Sequence, residues 1–391
     1  MQTLSGVIQP YAWGSSTLIP ELLRQEPTDE PQAELWLGAH PAAPARLADG
    51  STLAELVERD PRVVGTASVE AFGPRLPYLL KLLAADQPLS LQAHPTREQA
   101  EAGWAREERD GPGQGEPSRS YKDDWPKPEM IVALTDFEAL CGFADPTRTA
   151  GLWARLGVEE LSPLVEELRR GGTEALRTVV LRLLGEDGWG PVGEQAVEAA
   201  RGTGEDDAEL ATLCRTLLET AEHHPGDPGV LVATLMNQVS LRPGQALFLG
   251  AGNLHAYLSG LGVEVMANSD NVLRGGLTSK HVDVDELASV LDFSVIDPVP
   301  VELDDEGEGR ARFLTPAPEF ALWRVDCSDT PTTVPARTTG RIVLVTRGRV
   351  LLRTGNTSLT LHRGESAFLP AGEQVAVNGS GTAYVAAPGL R

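Results

Sequence analysis

Three polar residues share one face of a short segment near position 90. The stretch PLSLQAHPT (88–96) alternates apolar residues with Ser90, Gln92 and His94. Because side chains of an extended chain point alternately to two faces, a hydroxyl, an amide and an imidazole lie together opposite the apolar residues. Such a polar face is typical of a site that holds a metal ion or a polar substrate, while the apolar face packs on a core.

Two further segments carry polar groups at the same two-residue spacing. Lys127 and Glu129 share a face if DWPKPEM is extended, and the intervening proline favours an extended conformation at Lys127. In AGNLHAYL, Asn253, His255 and Tyr257 also share a face. These three faces indicate where the chemistry of the protein lies.

The combination of His94, His255 and Glu129 is typical of a metal site. Two histidines and one glutamate form the ligand set of many catalytic zinc centres, in which one position stays open. Gln92 is a candidate fourth ligand because it flanks His94 on the same face. The same two histidines and one carboxylate suit Fe(II), so an iron oxygenase is an alternative. No spacing forces these residues together, and each alone is more typical of an ordinary polar residue.

The composition indicates a globular protein that binds neither nucleic acid nor membranes. The 391-residue chain has a formal net charge of −23, whose field repels polyanions but permits a local basic pocket. No apolar run reaches the ~18 residues needed for a membrane span, and the N-terminal segment lacks the features of a secretion signal. Three scattered cysteines argue against a disulfide framework. We therefore expect a cytoplasmic enzyme.

Lysine is rare in this chain, which makes its few positions informative. Of the 33 basic residues only four are lysines, namely Lys81, Lys122, Lys127 and Lys280. A bias of this kind favours arginine wherever either residue serves, so these lysines are candidates for roles that need a compact ammonium group. The alternative interpretation is that these four lysines are retained by chance.

The sequence predicts a mainly β protein with a helical insert. Short apolar runs between turns predict strands, spacings of three and four predict helices, and polar Gly/Pro-rich stretches predict loops. The resulting order is strands at 1–95 with a short helix near 52–60, a long surface loop at 105–127, helices at 146–224, strands at 239–281, a linker near 297–312 and a small antiparallel β unit at 313–391. We accordingly predict a discontinuous first domain (1–145 and 226–296), a helical insert domain (146–225) and a C-terminal β domain (297–391).

An ordered series of motifs resembles the type I mannose-6-phosphate isomerases, also called phosphomannose isomerases. The series runs from position 11 to about 284, and a series of this length is specific. Its members are YAWGS, AELWLGAHPAAPA, LPYLLKLL, LSLQAHP, YKDDWPKPEM, LCGF, GDPGVLVATLMN, GNLHAYLSG and GVEVMANSDNVLRGGLTSKHVDV. The C-terminal β unit is similar to the family only in its general β character.

The resemblance implies a fold, a cofactor and a reaction. The fold has two cupin-like (jelly-roll) β-barrels with an inserted helical domain, and the first barrel holds one zinc ion. The family's zinc ligands correspond to Gln92, His94, Glu129 and His255, the residues that the polar faces also select. The implied reaction interconverts D-mannose 6-phosphate and D-fructose 6-phosphate through a cis-enediol(ate), within mannose and GDP-mannose metabolism.

The resemblance also suggests catalytic and binding roles for the polar residues. Arg274 and Lys127 would stabilise negative charge on the enediolate. Ser90, Lys81 and Lys280 would hold the phosphate, since lysine contacts phosphate as a compact charge and a serine hydroxyl adds a directed hydrogen bond.

The general base stays open between Asp270, Glu264, Lys127 and a zinc-bound water. Glu264 has apolar neighbours, so burial is expected to raise its pKa. Asp270 lies in NSDN, which is equally typical of a tight turn.

Trp13, Glu34 and Tyr257 are further substrate-binding candidates, with ordinary barrel structure as the alternative for Trp13 and Glu34.

One departure from the family lies beside the site, where Trp125 and Pro126 replace an Asn–His pair. Any acid–base role of that histidine has to be carried by other groups in this chain, and a different aldose phosphate becomes an alternative substrate.

A non-catalytic cupin that binds a sugar phosphate is the main alternative to an enzyme. It predicts missing ligands or a missing arginine, and this sequence retains them. We expect a monomer, with a dimer as the alternative, and a sugar phosphate as the partner. The C-terminal unit has a single histidine, His362, so we expect it to be structural, and we expect the helical insert to cover the mouth of the pocket.

Overall fold

A computed structural model describes residues 1–203 and 207–390. These residues form two ten-stranded sheets, each built from antiparallel pairs, together with a set of helices. The prediction of a mainly β protein with helices is confirmed. No helix within these two ranges is both long and apolar enough to span a membrane.

The strands are numbered along the chain. They are β1 (Gln2–Ser5), β2 (Val7–Gln9), β3 (Glu34–Gly38), β4 (Arg46–Leu47), β5 (Tyr78–Ala85), β6 (Gln92–Ala93), β7 (Glu129–Ala133), β8 (Phe137–Phe143), β9 (Met236–Leu241), β10 (Ala246–Leu249), β11 (His255–Ala267), β12 (Leu273–Arg274), β13 (Leu303–Gly307), β14 (Arg310–Phe313), β15 (Ala321–Cys327), β16 (Thr332–Thr333), β17 (Arg341–Thr354), β18 (Thr357–His362), β19 (Ser366–Leu369) and β20 (Ala376–Ala387). β1, β4 and β13 to β20 form the second sheet, and the remaining strands form the first.

The helices are numbered in the same way. They are α1 (Leu18–Leu23), α2 (Leu53–Arg59), α3 (Thr66–Phe72), α4 (Arg97–Asp110), α5 (Pro146–Leu156), α6 (Ser162–Leu168), α7 (Gly172–Gly185), α8 (Trp189–Arg201), α9 (Ala208–His223), α10 (Gly229–Ala233) and α11 (Val284–Val290). α2 matches the predicted short helix and begins with a capping box between Thr52 and Glu55.

Strand β11 organises the first sheet because it pairs with four other strands. Its first residues pair with β6 and β8, and its later residues pair with β5 and β7. The register shifts between Tyr257 and Ser259, and Gly260 follows with a φ of 117°. A positive φ of this size is accessible to glycine at little cost, so the strand bends here. The bend lets one strand contribute side chains from two directions to one cavity.

The helical unit packs against the apolar side of β6, β8 and the start of β11. One buried cluster joins Trp153 of α5 and Leu176 of α7 to Leu91, Ala93 and Ala256. Leu91 and Ala93 therefore face the helices, as the alternation predicts, whereas Leu89 lies in another buried cluster with Tyr257. Regular strand in this segment is limited to Gln92–Ala93, since the flanking backbone bonds with other partners.

Two predicted loop segments contain regular structure. α4 continues to Asp110, so the predicted loop at 105–127 begins only at Gly111. The helix starts at a capping box formed by Thr96 and Gln99 and continues through charged residues that favour helix. In the predicted linker at 297–312, β13 pairs with β14 in a hairpin. β13 is an exposed edge strand, which explains why its acidic sequence looks like a linker.

The N-terminal strand β1 joins the second sheet rather than the first. β1 pairs with β19 on one side and with β4 on the other. The two sheets also share a buried core, in which Leu80 and Val263 of the first sheet lie in one cluster with Ile342 and Tyr384 of the second. The first sheet is therefore supported from both sides, by helices and by the second sheet.

Candidate active site

A cavity of about 570 Å³ opens on the first sheet beside β5, β7 and β11. It is lined by side chains from several strands and by the segments around positions 11–13, 87–90 and 270–280. All predicted site residues except the two histidines line it, namely Trp13, Glu34, Lys81, Ser90, Gln92, Lys127, Glu129, Tyr257, Glu264, Asp270, Arg274 and Lys280.

The two histidines lie buried against the carboxylate of Glu129. The Nε2 atoms of His94 and His255 are 3.4 and 3.5 Å from Glu129 Oε2. One ligand atom from each of the three residues lies within 4.8 Å of the others. Because both histidines are fully buried and Glu129 lines the cavity, the cluster presents one open side to it.

The hydrogen bonds of the histidines fit a bound metal ion. The Nδ1 of His94 donates to the carbonyl of Asn271 at 2.8 Å, and the Nδ1 of His255 donates to that of Asn253 at 3.0 Å. Each Nε2 of the neutral rings therefore carries a lone pair, is buried and has no hydrogen-bond partner in the described part of the chain. Lone pairs aimed at a carboxylate oxygen repel it unless a cation lies among them, so the donor set fits a divalent metal ion.

The charge states of the cluster also suit a metal. Burial lowers the pKa of His94 to about 4, so the imidazole is neutral at pH 7. Burial alone would raise the pKa of Glu129, but the Lys127 ammonium 3.1 Å from its Oε1 holds that pKa well below the ordinary value. Neutral imidazoles and an ionised carboxylate are the forms that bind zinc.

Strand register explains how distant residues reach this cluster. Gln92 of β6 is the register partner of His255 at the start of β11, and Arg274 of β12 is the partner of Gln92. Glu129, the first residue of β7, is opposite Met266 near the end of β11. Gln92 therefore lies beside the cluster and lines the cavity, and its role as a fourth ligand stays a prediction.

A buried ion-pair network lies on β5 and β11. The Lys81 ammonium is 3.1 Å from Glu264 Oε2 and 3.4 Å from Glu34 Oε2, and the Tyr257 hydroxyl donates to Glu264 Oε1 at 2.9 Å. Burial lowers the pKa of Lys81, but the two carboxylates outweigh it and raise that pKa overall. Burial raises the pKa of Glu264 and outweighs the opposing effect of Lys81. Lys81 is thus already paired, which makes it less suited to a phosphate than the sequence predicts.

Two cations at the other end of the cavity are differently placed. Neither Arg274 nor Lys280 has an ion-pair partner within residues 1–203 and 207–390. Burial lowers the pKa of Arg274, and burial together with repulsion from Arg274 lowers that of Lys280. Thr278 and Ser279 line the cavity beside them. Adjacent cations that repel each other are stabilised by an anion, so this end is suited to a phosphate. The hydroxyl pair was missed at the sequence level, although it directly precedes Lys280.

Asp270 lies at the cavity with half of its side chain exposed and is paired with a residue that the sequence analysis missed. Its Oδ2 is 3.3 Å from Nε2 of His40, which is buried. Burial would raise the pKa of Asp270, but the bond from His40 and the nearby positive charges, including Lys127 and Lys81, together outweigh it and lower that pKa. His40 stands beside a proline in GAHP and has no polar neighbour at strand spacing, so only the fold reveals its partner.

The replacement at Trp125 does not place a side chain in the cavity. The indole is buried and packs between two guanidinium groups, with the Cζ of Arg75 at 4.7 Å and that of Arg97 at 5.1 Å from the ring centroid. Its backbone carbonyl accepts a bond from Asn271 Nδ2 at 2.8 Å. Trp125 thus supports the segment that carries Asp270 without lining the cavity.

Comparison with known proteins agrees with this site. Residues 1–145 match the family model described as phosphomannose isomerase type I, catalytic domain. The chain is 36% identical over 97% of its length to the mannose-6-phosphate isomerase of Escherichia coli, covering 98% of that protein. It is 30% identical over 95% of its length to the mouse mannose-6-phosphate isomerase, covering 94% of that protein.

Solved structures give the same result. A crystal structure of a phosphomannose isomerase variant from Salmonella typhimurium has a TM-score of 0.90 at 32% identity, with all of both chains covered. A zinc-bound mannose 6-phosphate isomerase has a TM-score of 0.89 at 32% identity, covering 100% of this chain and 99% of the other. The chain belongs to the type I mannose-6-phosphate isomerase family.

Proposed function

We propose that this chain interconverts D-mannose 6-phosphate and D-fructose 6-phosphate with a zinc ion at His94, Glu129 and His255. The observation that carries this function is a single cavity lined by Glu129 of the buried metal-ligand cluster and by two cations without an ion-pair partner among the described residues. The cluster suits the polarisation of sugar oxygens, and the cations suit a phosphate on the same molecule. Gln92 is the proposed fourth ligand.

When bound, zinc acts as a Lewis acid that polarises oxygens of the sugar and stabilises negative charge developing on them. The protein contributes further donors to the same charge. Lys127, buried 3.1 Å from Glu129 Oε1, and Arg274, opposite Gln92 in the register, stabilise the enediolate oxygens.

Lys280 binds the phosphate, assisted by the hydroxyl of Ser90 and by those of Thr278 and Ser279, which directly precede Lys280. Lys81 instead holds Glu34 and Glu264 in place and contacts the sugar from within that network. Trp13 and Tyr257 line the cavity near these groups and shape the space for the sugar. The phosphate end of the cavity and the metal cluster hold the substrate at two points, which orients the sugar so that C1 and C2 face the reacting groups.

Asp270 is the proposed general base. In the open-chain aldose its carboxylate takes the proton from C2, the C–H electrons form the C1=C2 double bond, and the carbonyl electron pair moves to O1. The proton returns to C1, while the hydroxyl proton of O2 is lost as the C2 carbonyl forms and O1 is protonated. Glu264 is less suited because its two oxygens already accept bonds from Tyr257 and Lys81.

We also propose a barrel type and domain boundaries for the chain. Each sheet forms a cupin-like jelly-roll barrel, and α5 to α9 form a helical domain inserted into the first. The domain boundaries are 1–145 and 226–296, 146–225 and 297–391, except that β1 and β4 pair within the second sheet. Antiparallel pairing within each sheet and the similarity to solved isomerases support this division. We further propose a cytoplasmic monomer that acts in mannose and GDP-mannose metabolism.

A coupled assay of mannose 6-phosphate turnover, run before and after chelation and again after zinc re-addition, tests the function. We expect turnover that chelation abolishes and zinc restores. Glu129→Gln removes a cluster ligand and should abolish zinc-restored turnover, while Glu138→Gln on the neighbouring strand β8 serves as the control. No turnover of mannose 6-phosphate by protein that contains one zinc would contradict the proposed substrate, and other aldose phosphates would then be assayed.

A further inference from the structure

His40 lies behind Asp270 and is almost fully enclosed. It follows β3, its side chain is 3% exposed, and its ring meets the Trp36 ring edge-on with centroids 4.7 Å apart. Its Nε2 lies 3.3 Å from Oδ2 of Asp270. His40 does not line the cavity, so it acts on a substrate only through Asp270.

The backbone fixes which nitrogen of His40 carries the proton. The amide N–H of Ala42 donates to Nδ1 of His40 at 3.3 Å. An amide can only donate, so Nδ1 must carry a lone pair and the proton of the neutral ring must lie on Nε2. Nε2–H is therefore the donor that faces Oδ2 of Asp270 at 3.3 Å.

The backbone of Asp270 is held separately from its carboxylate. Its amide donates to Oδ2 of Asp123 at 2.8 Å, and Oδ1 of Asp123 accepts from the Ser269 hydroxyl at 2.8 Å. Within the described ranges no hydrogen bond engages Oδ1 of Asp270, whose side chain is half exposed at the cavity. One carboxylate oxygen is thus anchored and the other is free to meet a ligand.

We propose that His40 is a positioning residue for Asp270, holding one carboxylate oxygen through Nε2–H so that the other meets the sugar as proton acceptor. This inference rests on the proposed function, in which Asp270 removes the proton from C2. The logic is that of an imidazole–carboxylate pair in which the carboxylate, not the imidazole, is the base. An orienting hydrogen bond of this kind keeps the reactive oxygen in place while the proton is transferred.

The charges around Asp270 fit this role. The bond from His40 is the largest of the effects that lower the pKa of Asp270, and together they outweigh burial. The ionisable groups that surround the pair are Lys81 on β5, Lys127 ahead of β7, Lys122 and Asp123 in the segment between α4 and β7, and Tyr11 near the N-terminus. Loss of the His40 bond raises the pKa of Asp270, so the acid limb of a pH profile that needs ionised Asp270 moves to higher pH.

Substitutions of His40 by side chains of different length and donor capacity test the inference in the full-length zinc enzyme. His40→Gln keeps an amide N–H donor near the position of Nε2. His40→Asn also has an amide donor, but its side chain is too short to reach Asp270, and His40→Leu removes the donor. His362→Leu in the second sheet is the matched control. For each protein kcat, KM, the pH profile of kcat/KM, zinc content and thermal midpoint are measured with mannose 6-phosphate.

We expect kcat to fall ~100-fold in His40→Leu and His40→Asn with KM changed less than about threefold, within the range that positioned acid–base groups contribute. The acid limb should move to higher pH in both, and His40→Gln should recover to within about tenfold of wild type with its acid limb restored. His362→Leu should match wild type.

Wild-type kcat and an unshifted acid limb in folded His40→Leu would overturn the inference while leaving the proposed function intact. Equal losses in the Gln, Asn and Leu variants, with zinc content falling in parallel, would assign His40 a purely structural role and overturn it as well. If His40→Leu does not fold, the comparison of Gln with Asn decides the same question. Absence of turnover in wild-type zinc enzyme would instead overturn the proposed function, and this inference with it.

Discussion

Lys280 combines a side chain that is only partly buried with an unusual electrostatic environment. It lies at the edge of the cavity beside Arg274, and burial and repulsion from Arg274 together lower its pKa. A phosphate dianion placed between the two side chains replaces repulsion with two attractive contacts. The phosphate is therefore expected to bind beside Arg274 and Lys280, where two positive charges repel each other. This local site differs in sign from the chain as a whole, whose net charge is −23.

Lys280→Met should weaken substrate binding without disabling the chemistry. Loss of a hydrogen bond to a charged group is worth ~1.5–3 kcal/mol, which corresponds to a fall in kcat/KM of ~10–160-fold, expressed mainly as a higher KM. The measurement is steady-state kinetics with mannose 6-phosphate, together with inhibition by inorganic phosphate, which should weaken in parallel. Lys122→Met is the control, because Lys122 does not line the cavity. Equal effects of the two substitutions would contradict the assignment.

Residue types and two-residue spacing made a few polar residues candidates for a metal cluster, and the family resemblance selected the same set. Alternation placed His94, Glu129 and His255 on polar faces, and only their assembly needed the fold. His40 could not be found this way, because its partner lies far along the chain and the bond that fixes its tautomer comes from the Ala42 backbone. The pairing of Lys81 was equally invisible, since its two carboxylates lie on different strands.

At the level of elements, the site depends on the bend in β11. His255 and Tyr257 precede the bend and Glu264 follows it, yet Tyr257 and Glu264 share a hydrogen bond of 2.9 Å. In a straight strand these two side chains, seven positions apart, would lie on opposite faces of the sheet and roughly 23 Å apart along the strand. The sequence predicted strand here but not the bend, because a single glycine in a strand does not specify its partners.

Gly260→Ala should disrupt this element and the metal site with it. A Cβ on Gly260 would lie 2.6 Å from the carbonyl oxygen of Asp136, at a φ of 117° that L side chains rarely adopt. We expect the free energy of unfolding to fall by more than ~2 kcal/mol, because a backbone clash adds to the ~1 kcal/mol of conformational strain. Zinc affinity should fall as His255 moves relative to Glu129. Urea unfolding and a zinc competition assay measure the two effects.

Gly307→Ala in the β13–β14 hairpin is the matched control. Gly307 also has a positive φ, of 76°, but no atom lies within 4 Å of an added Cβ. Its substitution should cost only the strain and leave zinc affinity unchanged. If both alanine variants lost the same stability and bound zinc equally well, the bend would have no special role in the site.

At the level of the whole molecule, the two sheets depend on each other. β1 and β4 come from the N-terminal part of the chain but pair within the second sheet, and the buried core between the sheets draws on both. The sequence predicted the β character of the C-terminal part, but not this exchange of strands. Which strands pair depends on contacts between distant segments, which apolar patterning alone does not specify. The second sheet, without a ligand cluster among its described residues, thus supports the catalytic one.

Tyr78→Phe should loosen the contact between the two sheets while sparing catalysis. Tyr78 of β5 is fully buried, and its hydroxyl donates to the carbonyl of Ala386 at 2.9 Å and approaches that of Gly340 at 3.2 Å, both in the second sheet or next to it. Removing the hydroxyl leaves buried carbonyls without this donor, so unfolding should become easier by about 1–2 kcal/mol. Urea unfolding measures the loss, and kcat should stay at the wild-type value, because the β5 backbone that carries Lys81 keeps its pairing.

Tyr384→Phe separates this contact from the general effect of losing a hydroxyl. Tyr384 of β20 lies in the same buried core, but no hydrogen bond of its hydroxyl occurs within the described residues. Its substitution should change the free energy of unfolding by less than about 0.5 kcal/mol, as expected where no named interaction is lost. Equal destabilisation by the two substitutions would mean that the bonds of Tyr78 do not join the sheets. A fall in kcat specific to Tyr78→Phe would mean instead that the second sheet adjusts the position of β5, and with it the active site.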